Sequence, residues 1–182
     1  MIHAPGGLDH LVLEVLTYAD DEAQFLGRVG RAVVTLLTDG SVSVADDGRG
    51  TDTRYDDKGR VIRKPVMSTR DLRFFDEPDT SILPDGYPRR GMSVVSALSR
   101  WLTHTNRRHH GSWTQRYEWG LPVTDLVAIP DDGTTGTTVH FQSDRTLISA
   151  TAAGGVPRLP AHAVFAHLHI QTGRNTVIVV PR

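Results

Sequence analysis

Cysteine is absent from this chain of 182 residues. No disulfide framework holds it and no thiolate chemistry is open to it. Long apolar runs are absent as well: no stretch approaches the ~20 residues that a membrane-spanning helix needs. The start, Met1-Ile2-His3-Ala4-Pro5-Gly6, has neither a charged nor an apolar leader region, which argues against secretion. These absences fit a reducing cytoplasm. An excess of either charge is missing too. The formal net charge is −1 and the pI about 6.7, so no global basic field draws nucleic acid. No internal repeat is visible. What remains is a composition of 38% hydrophobic and 23% charged residues, within the soluble globular range and long enough for one domain with a core.

Leu8 to Gln24 reads as a helix, because Leu8, Leu11, Val12, Val15, Leu16 and Ala19 recur at three- and four-residue spacing. Arg31–Leu37 and Ser41–Ala45 read as strands, with Asp39-Gly40 between them as a hairpin turn. The stretch 51–90 is polar and rich in Asp, Arg, Gly and Pro. A segment so long without a period reads as a functional lid or as a mobile segment. Gly91 to Leu102 reads as a second helix. Thr114–Glu118, Thr124–Ile129 and Thr137–Gln142 read as strands of a meander. Ala152–Pro160 reads as loop, Ala161–His169 as a short helix and Asn175–Val180 as a closing strand. Strands and helices mixed without strict alternation argue for an α/β sandwich with helices on one face.

Two groups of residues carry candidate chemistry. Glu14, Tyr18 and Asp21 fall at i, i+4 and i+7 and share a helix face apart from the apolar stripe. A carboxylate there suits a general base acting on a water that attacks a γ-phosphate; the competing reading is a solvated helix face. Asp46-Asp47-Gly48-Arg49-Gly50 ends an apolar strand. A buried carboxylate there can accept from an exocyclic amine such as adenine N6. Gly48 and Gly50 permit close backbone approach, and Arg49 can stack on a base or pair with a carboxylate. The competing reading is a charged turn.

The segment from Gly7 to Gly50 resembles the ATP-binding domain found in the B subunits of DNA gyrase and topoisomerase IV. Three further motifs follow in the family's order: Gly91-Met92-Ser93-Val94-Val95-Ser96-Ala97-Leu98-Ser99, then Arg116-Tyr117-Glu118-Trp119-Gly120-Leu121-Pro122-Val123, then Thr135-Gly136-Thr137-Thr138-Val139-His140-Phe141. The resemblance implies the GHKL, or Bergerat, fold: an α/β (α+β) sandwich with a mixed, mostly antiparallel sheet. Set beside the chain's length, the resemblance leads to the expectation of one domain over residues 1–182, a lid-like segment at about 51–90 and no transducer domain. It implies ATP as ligand, with Glu14 as catalytic base, Asp46 on the adenine amine, and Gly48 and Thr137 at a base-bound water. Arg49 would flank the base and pair with Glu22, with Gly50, Asp21 and Tyr18 also lining the site. Gly86, Arg89, Arg90 and Gly91 would form the lid at the phosphates, and Arg108 would sit at the pocket mouth. Aminocoumarin antibiotics bind this family's pocket rim.

The sequence also departs from that pattern. Tyr18 stands where the family has the Asn that ligates Mg²⁺, and a phenol is a poor ligand for a hard cation. The family's Gly-rich phosphate clasp reads here Asp85-Gly86-Tyr87-Pro88-Arg89-Arg90-Gly91; Pro88 lacks an N–H, and backbone N–H groups cradle phosphates. In this family a downstream domain supplies a lysine to the γ-phosphate, and the expectation is that this chain does not supply it. The expectation is an ATP or adenine-nucleotide binder with weak or absent hydrolysis, with Mg²⁺ in doubt, no direct nucleic-acid or membrane binding, and a protein partner or a homodimer. The alternative is a stand-alone binding module for an adenine compound or an aminocoumarin-like ligand, acting by protein contact or sequestration. Neither His109-His110 nor the set His162, His167 and His169 has the spacing of a zinc site.

Overall fold

The computed structural model describes residues 6–51, 54–55, 57–58, 61–62, 81–109, 111–148 and 165–175. Helix α1 spans Gly7–Phe25. Strands β1 (Gly30–Leu37) and β2 (Val42–Asp46) follow as a hairpin. Its turn is closed by Leu37 donating to the Ser41 carbonyl at 2.9 Å and by Asp39 Oδ1 accepting the Ser41 N–H at 2.8 Å, as expected of an Asp-Gly turn. A short ladder, β3 (Arg54–Tyr55) with β4 (Val61–Ile62), lies apart from the main sheet. Helix α2 (Met92–Ala97) leads into β5 (Ser99–Arg107), β6 (Trp113–Glu118), β7 (Leu121–Pro122), β8 (Val127–Ala128), β9 (Gly136–Ser143) and β10 (Leu168–Asn175).

The main sheet runs β10-β1-β2-β9-β5-β6-β7, with β8 also on β6. Only β1 and β10 pair in parallel, Gly30 opposite Leu168; the other pairs are antiparallel. The fold is therefore an α/β sandwich on a mixed, mostly antiparallel sheet. Leu11, Val12 and Leu16 of α1 and Val95 of α2 pack with Val42, Val44, Leu102 and Phe141 of the sheet, all at most 2% exposed. Burying such side chains contributes roughly 1.5–3 kcal/mol each.

The structure corrects three expectations. The helix expected over Gly91–Leu102 ends at Ala97, and Ser99 onward is strand β5. Ser99 Oγ donates to the Val95 carbonyl at 2.6 Å, and β5 takes its place between β9 and β6. The helix expected over Ala161–His169 fails where it is described: Leu168 and His169 already belong to β10, because their backbones pair with Gly30 and Arg31. The strand over Thr124–Ile129 shrinks to Val127–Ala128. The loop at Ala152–Pro160, most of the expected lid and the closing strand beyond Asn175 lie outside the described residues.

Helix α1 is also not half-solvated. His10 and Glu14, on its polar face, are 2% and 0% exposed. The cover is residues 81–91, a small hairpin held by Arg89 N–H on the Ser81 carbonyl and Leu83 N–H on the Tyr87 carbonyl, both at 2.8 Å. Leu83 anchors it in the core at 4% exposed. No described helix is long and apolar enough to cross a membrane.

Candidate functional site

The site forms where α1, the end of β2, the start of β9 and the 81–91 hairpin meet. Asp46, the last residue of β2, is partly buried. Its Oδ1 accepts the Gly48 N–H at 2.8 Å and the Thr137 N–H at 3.2 Å. Its Oδ2 accepts no hydrogen bond among the described residues. Burial pushes the Asp46 carboxyl up to about 6, against the two backbone donors that lower it. Gly136 brings β9 onto β2 here: at φ 132°, any Cβ would collide with the Asp46 carbonyl oxygen. Thr137 thus meets Asp46 through its backbone, a contact distinct from the water-sharing role that the resemblance implies.

After Asp46 the chain turns back over α1. Asp47 takes a two-pronged contact from Arg28, at 3.1 and 3.2 Å, and accepts the Arg31 N–H at 2.9 Å. Gly48 packs on Glu22: a Cβ would lie 2.8 Å from Glu22 Cγ. Glu22 grips Arg49 in fork geometry, Nε to Oε1 at 2.6 Å and Nη2 to Oε2 at 3.2 Å. The guanidinium also stacks on Phe25, 4.5 Å from the ring centroid. Burial pushes the Glu22 carboxyl up, but the hydrogen bonds from Arg49 prevail and hold it low. Gly50, at φ 76°, passes so close to the Arg107 carbonyl that only glycine fits. Arg108 lies beside it, with its Cγ 2.9 Å from where a Gly50 Cβ would stand. Arg108 also adds to the positive field that lowers Glu22.

Sequence reasoning missed Asn106, which fixes this loop. It is fully buried in β5; its Oδ1 accepts the Thr51 N–H at 2.5 Å and its Nδ2 donates to the Thr51 carbonyl at 3.1 Å. An Asn in the strand that runs into Arg107-Arg108 was the available signal.

The lid end is built around Glu14. Its Oε1 accepts the Arg90 N–H at 2.5 Å and its Oε2 the Gly91 N–H at 2.8 Å. His10, one turn earlier, stands 3.3 Å from Glu14 through Nε2 and 2.7 Å from Asp85 through Nδ1. Burial disfavours the imidazolium, but bonds to Glu14 and Asp85 outweigh it and hold the pKa above the usual range. His10 carried no role in the sequence reading, and Asp85 figured there only in the altered clasp; the i, i+4 spacing of His10 and Glu14 was the overlooked signal. Arg89 is 5% exposed. Its guanidinium lies 4.7 Å from the Tyr18 ring centroid and donates to Asp21 Oδ2 at 2.7 Å. Gly86 sits at the exposed hairpin tip at φ 83° with open space around it, away from these contacts. Among the described residues no cluster of three His, Cys, Asp or Glu side chains offers a metal site. His162 lies outside the described residues, and His167 stands 3.7 Å from Asp20.

The chain is 37% identical over 146 residues to the B subunit of DNA gyrase from Thermotoga maritima, covering 80% of this chain and 23% of that protein. It is 35% identical over 146 residues to the B subunit of DNA topoisomerase 4 from Bacillus subtilis, covering 80% and 22%. It is 35% identical over 145 residues to the B subunit of DNA gyrase from Mycobacterium tuberculosis, covering 80% and 21%. The chain thus spans less than a quarter of the length of these relatives. No family model matches it.

Proposed function

We propose that this chain is a gyrase-B-type ATP-binding domain, one that binds adenine nucleotides in the cytoplasm and hydrolyses them slowly or not at all. The observation that carries the reading is Asp46. Two backbone N–H groups fix one carboxylate oxygen, and the other oxygen is left to a donor such as the adenine amine. The similarity to the B subunits of gyrase and topoisomerase IV supports the same assignment. Arg49, held by Glu22, closes one side of the base pocket, and Arg108 stands at its mouth. From Glu22 back to Glu14, α1 runs about 12 Å at 1.5 Å per residue, a path along which a triphosphate extends from the base towards the lid.

The phosphate end does not fit Mg²⁺. A hard octahedral cation takes carboxylate, amide, phosphate or water oxygens. Here the expected ligand position is Tyr18, and a guanidinium lies on its ring. No step is assigned to a metal. A second reading draws support from the same contact: a stand-alone module that keeps the adenine half of the pocket and takes ADP, another adenine compound or an aminocoumarin-like ligand, with its output a contact with a protein partner or within a homodimer.

Calorimetric titration of ATP, ADP and AMP, each with and without Mg²⁺, tests the proposal. Binding of all three with little dependence on metal is the expected result. Absence of binding to any adenine nucleotide would reject the assignment, and a strict Mg²⁺-dependent preference for ATP would reject its slow-hydrolysis part.

A further inference from the structure

The inference rests on the adenine-nucleotide reading above and concerns the other end of the same ligand. Arg89 is a cation held almost out of water. Taking a charge from water costs several kcal/mol unless partners replace the hydration, so its surroundings carry information. Its backbone is pinned on both sides: its own N–H is on the Ser81 carbonyl, and the next two N–H groups are on Glu14. Its side chain is fixed by stacking on Tyr18 and by Asp21. The Asp21 side chain is itself 52% exposed, so the anion facing the guanidinium opens to solvent and is exchangeable. Tyr18 and Asp21 lie within one turn of Glu22, which holds Arg49 beside Gly48. Four residues of helix rise about 6 Å, so a ligand with its base on Asp46 that runs along α1 would carry its phosphates towards the guanidinium.

We propose that Arg89 is the resident cation of this pocket, taking the place of a divalent metal. A guanidinium presents a planar fork that matches two phosphate oxygens, carries its charge at every accessible pH, and gains from stacking on an aromatic face. Asp21 holds the fork in position without ligand and yields it to the phosphates when a nucleotide enters. The ligand class that follows is a metal-free adenosine diphosphate or triphosphate, recognised by its own negative charge.

The test compares adenosine with ADP by calorimetry, in chelator and in millimolar Mg²⁺, for wild type, Arg89→Gln and Asp21→Asn. In chelator, wild type is expected to bind ADP about tenfold or more tighter than adenosine, as charge-assisted bonds to phosphate allow. Mg²⁺ is expected to leave that ratio unchanged or lower it, because the metal competes for the phosphates. Arg89→Gln is expected to collapse the ratio towards one. Asp21→Asn changes a half-exposed residue and keeps the hairpin's backbone bonds. It is expected to raise the ratio by releasing the fork, whereas a purely structural Arg89–Asp21 strut predicts no rise. Equal affinities in chelator, or a ratio that appears only with Mg²⁺, overturn the proposal. Adenosine failing to bind while ADP binds without metal in an Arg89-dependent way rejects the adenine reading and retains the cation.

Discussion

Gly91 donates its backbone N–H to Oε2 of Glu14 at 2.8 Å, in a fully buried setting. The Arg90 N–H occupies the other oxygen. The residue expected to act as a catalytic base therefore clamps the 81–91 hairpin onto α1. Glu14 is 0% exposed, so activating a water requires the hairpin to open a path to this carboxylate.

Glu14→Gln separates the two roles. The amide replaces one acceptor oxygen by an NH₂ group that faces a backbone N–H. Leaving a buried donor unsatisfied costs about 1–3 kcal/mol. The expected outcome is a lower urea midpoint without ligand. An unchanged midpoint would show that the clamp contributes nothing to stability.

Burial of the Asp46 carboxylate opposes stability. Its folded-state carboxyl lies at about 6, above the ordinary 3.8. The folded chain therefore holds the extra proton, and stability falls as pH rises through that window. A shift of this size bounds the penalty at roughly 3 kcal/mol above the window. Asp46→Asn keeps an oxygen for Gly48 and Thr137 but carries no charge. It is expected to melt higher than wild type at pH 8 and about equally at pH 4. It is also expected to bind nucleotide roughly thirtyfold more weakly, because its NH₂ faces the adenine amine. Thermal melts at the two pH values, with titration at pH 8, check both halves.

His10 has the opposite pH signature. Its raised pKa means that its stabilisation is fully present below the ordinary 6.5 and is lost as pH rises through the folded-state value. Both ring nitrogens face carboxylates, Glu14 and Asp85, and neutral imidazole, with a single N–H, can donate to only one of them. The stability difference between wild type and His10→Gln should be largest near pH 5.5 and shrink in alkaline buffer. A difference that grows with pH contradicts the assignment.

The Asp46–Arg49 half of this site was readable from its motif and from the family resemblance, which pairs Arg49 with Glu22. Asp-Asp-Gly-Arg-Gly ends a strand by itself, and the Glu22–Arg49 geometry follows once that strand pairs beside α1. The lid half was not, since its partners are distant in sequence. Glu14 meets Arg90 and Gly91 across more than seventy positions, and nothing in the spacing of α1 shows that a hairpin will cover its polar face. Strand β5 was hidden for another reason. Leu98, Trp101 and Leu102 continue the apolar spacing of α2, while the signals for a strand, the alternating Thr103 and Thr105, come only afterwards. Pairing with β9, with a register shift between Ser99 and Trp101, decides the outcome.

Asn106 gives a prediction that owes nothing to ligand chemistry. Asn106→Ala leaves the Thr51 N–H and carbonyl without their side-chain partners in a partly buried loop. A loss of about 1–3 kcal/mol is expected. Nucleotide affinity should fall as well, because Gly48 to Gly50 lose their tether. Denaturation and titration on one sample distinguish this from a purely global effect.

Turnover is expected to be very slow. Phosphoryl transfer draws most of its stabilisation from metal ions and fixed donors around the γ-phosphate. Where the resemblance implies a metal ligand this chain has Tyr18 under a guanidinium, and Pro88 offers no N–H. The donors at Arg90 and Gly91 are already spent on Glu14. Each missing element typically removes several kcal/mol of transition-state stabilisation. Tyr18→Asn restores an amide oxygen of the type a divalent cation accepts, and it removes the ring on which Arg89 rests. It is therefore expected to make ATP affinity Mg²⁺-dependent while turnover stays low, since Glu14 remains clamped. A steady rate of order 1 s⁻¹ from the wild-type chain, the range of competent enzymes, and abolished by Glu14→Ala, would show that the clamp opens freely and that Tyr18 is no obstacle.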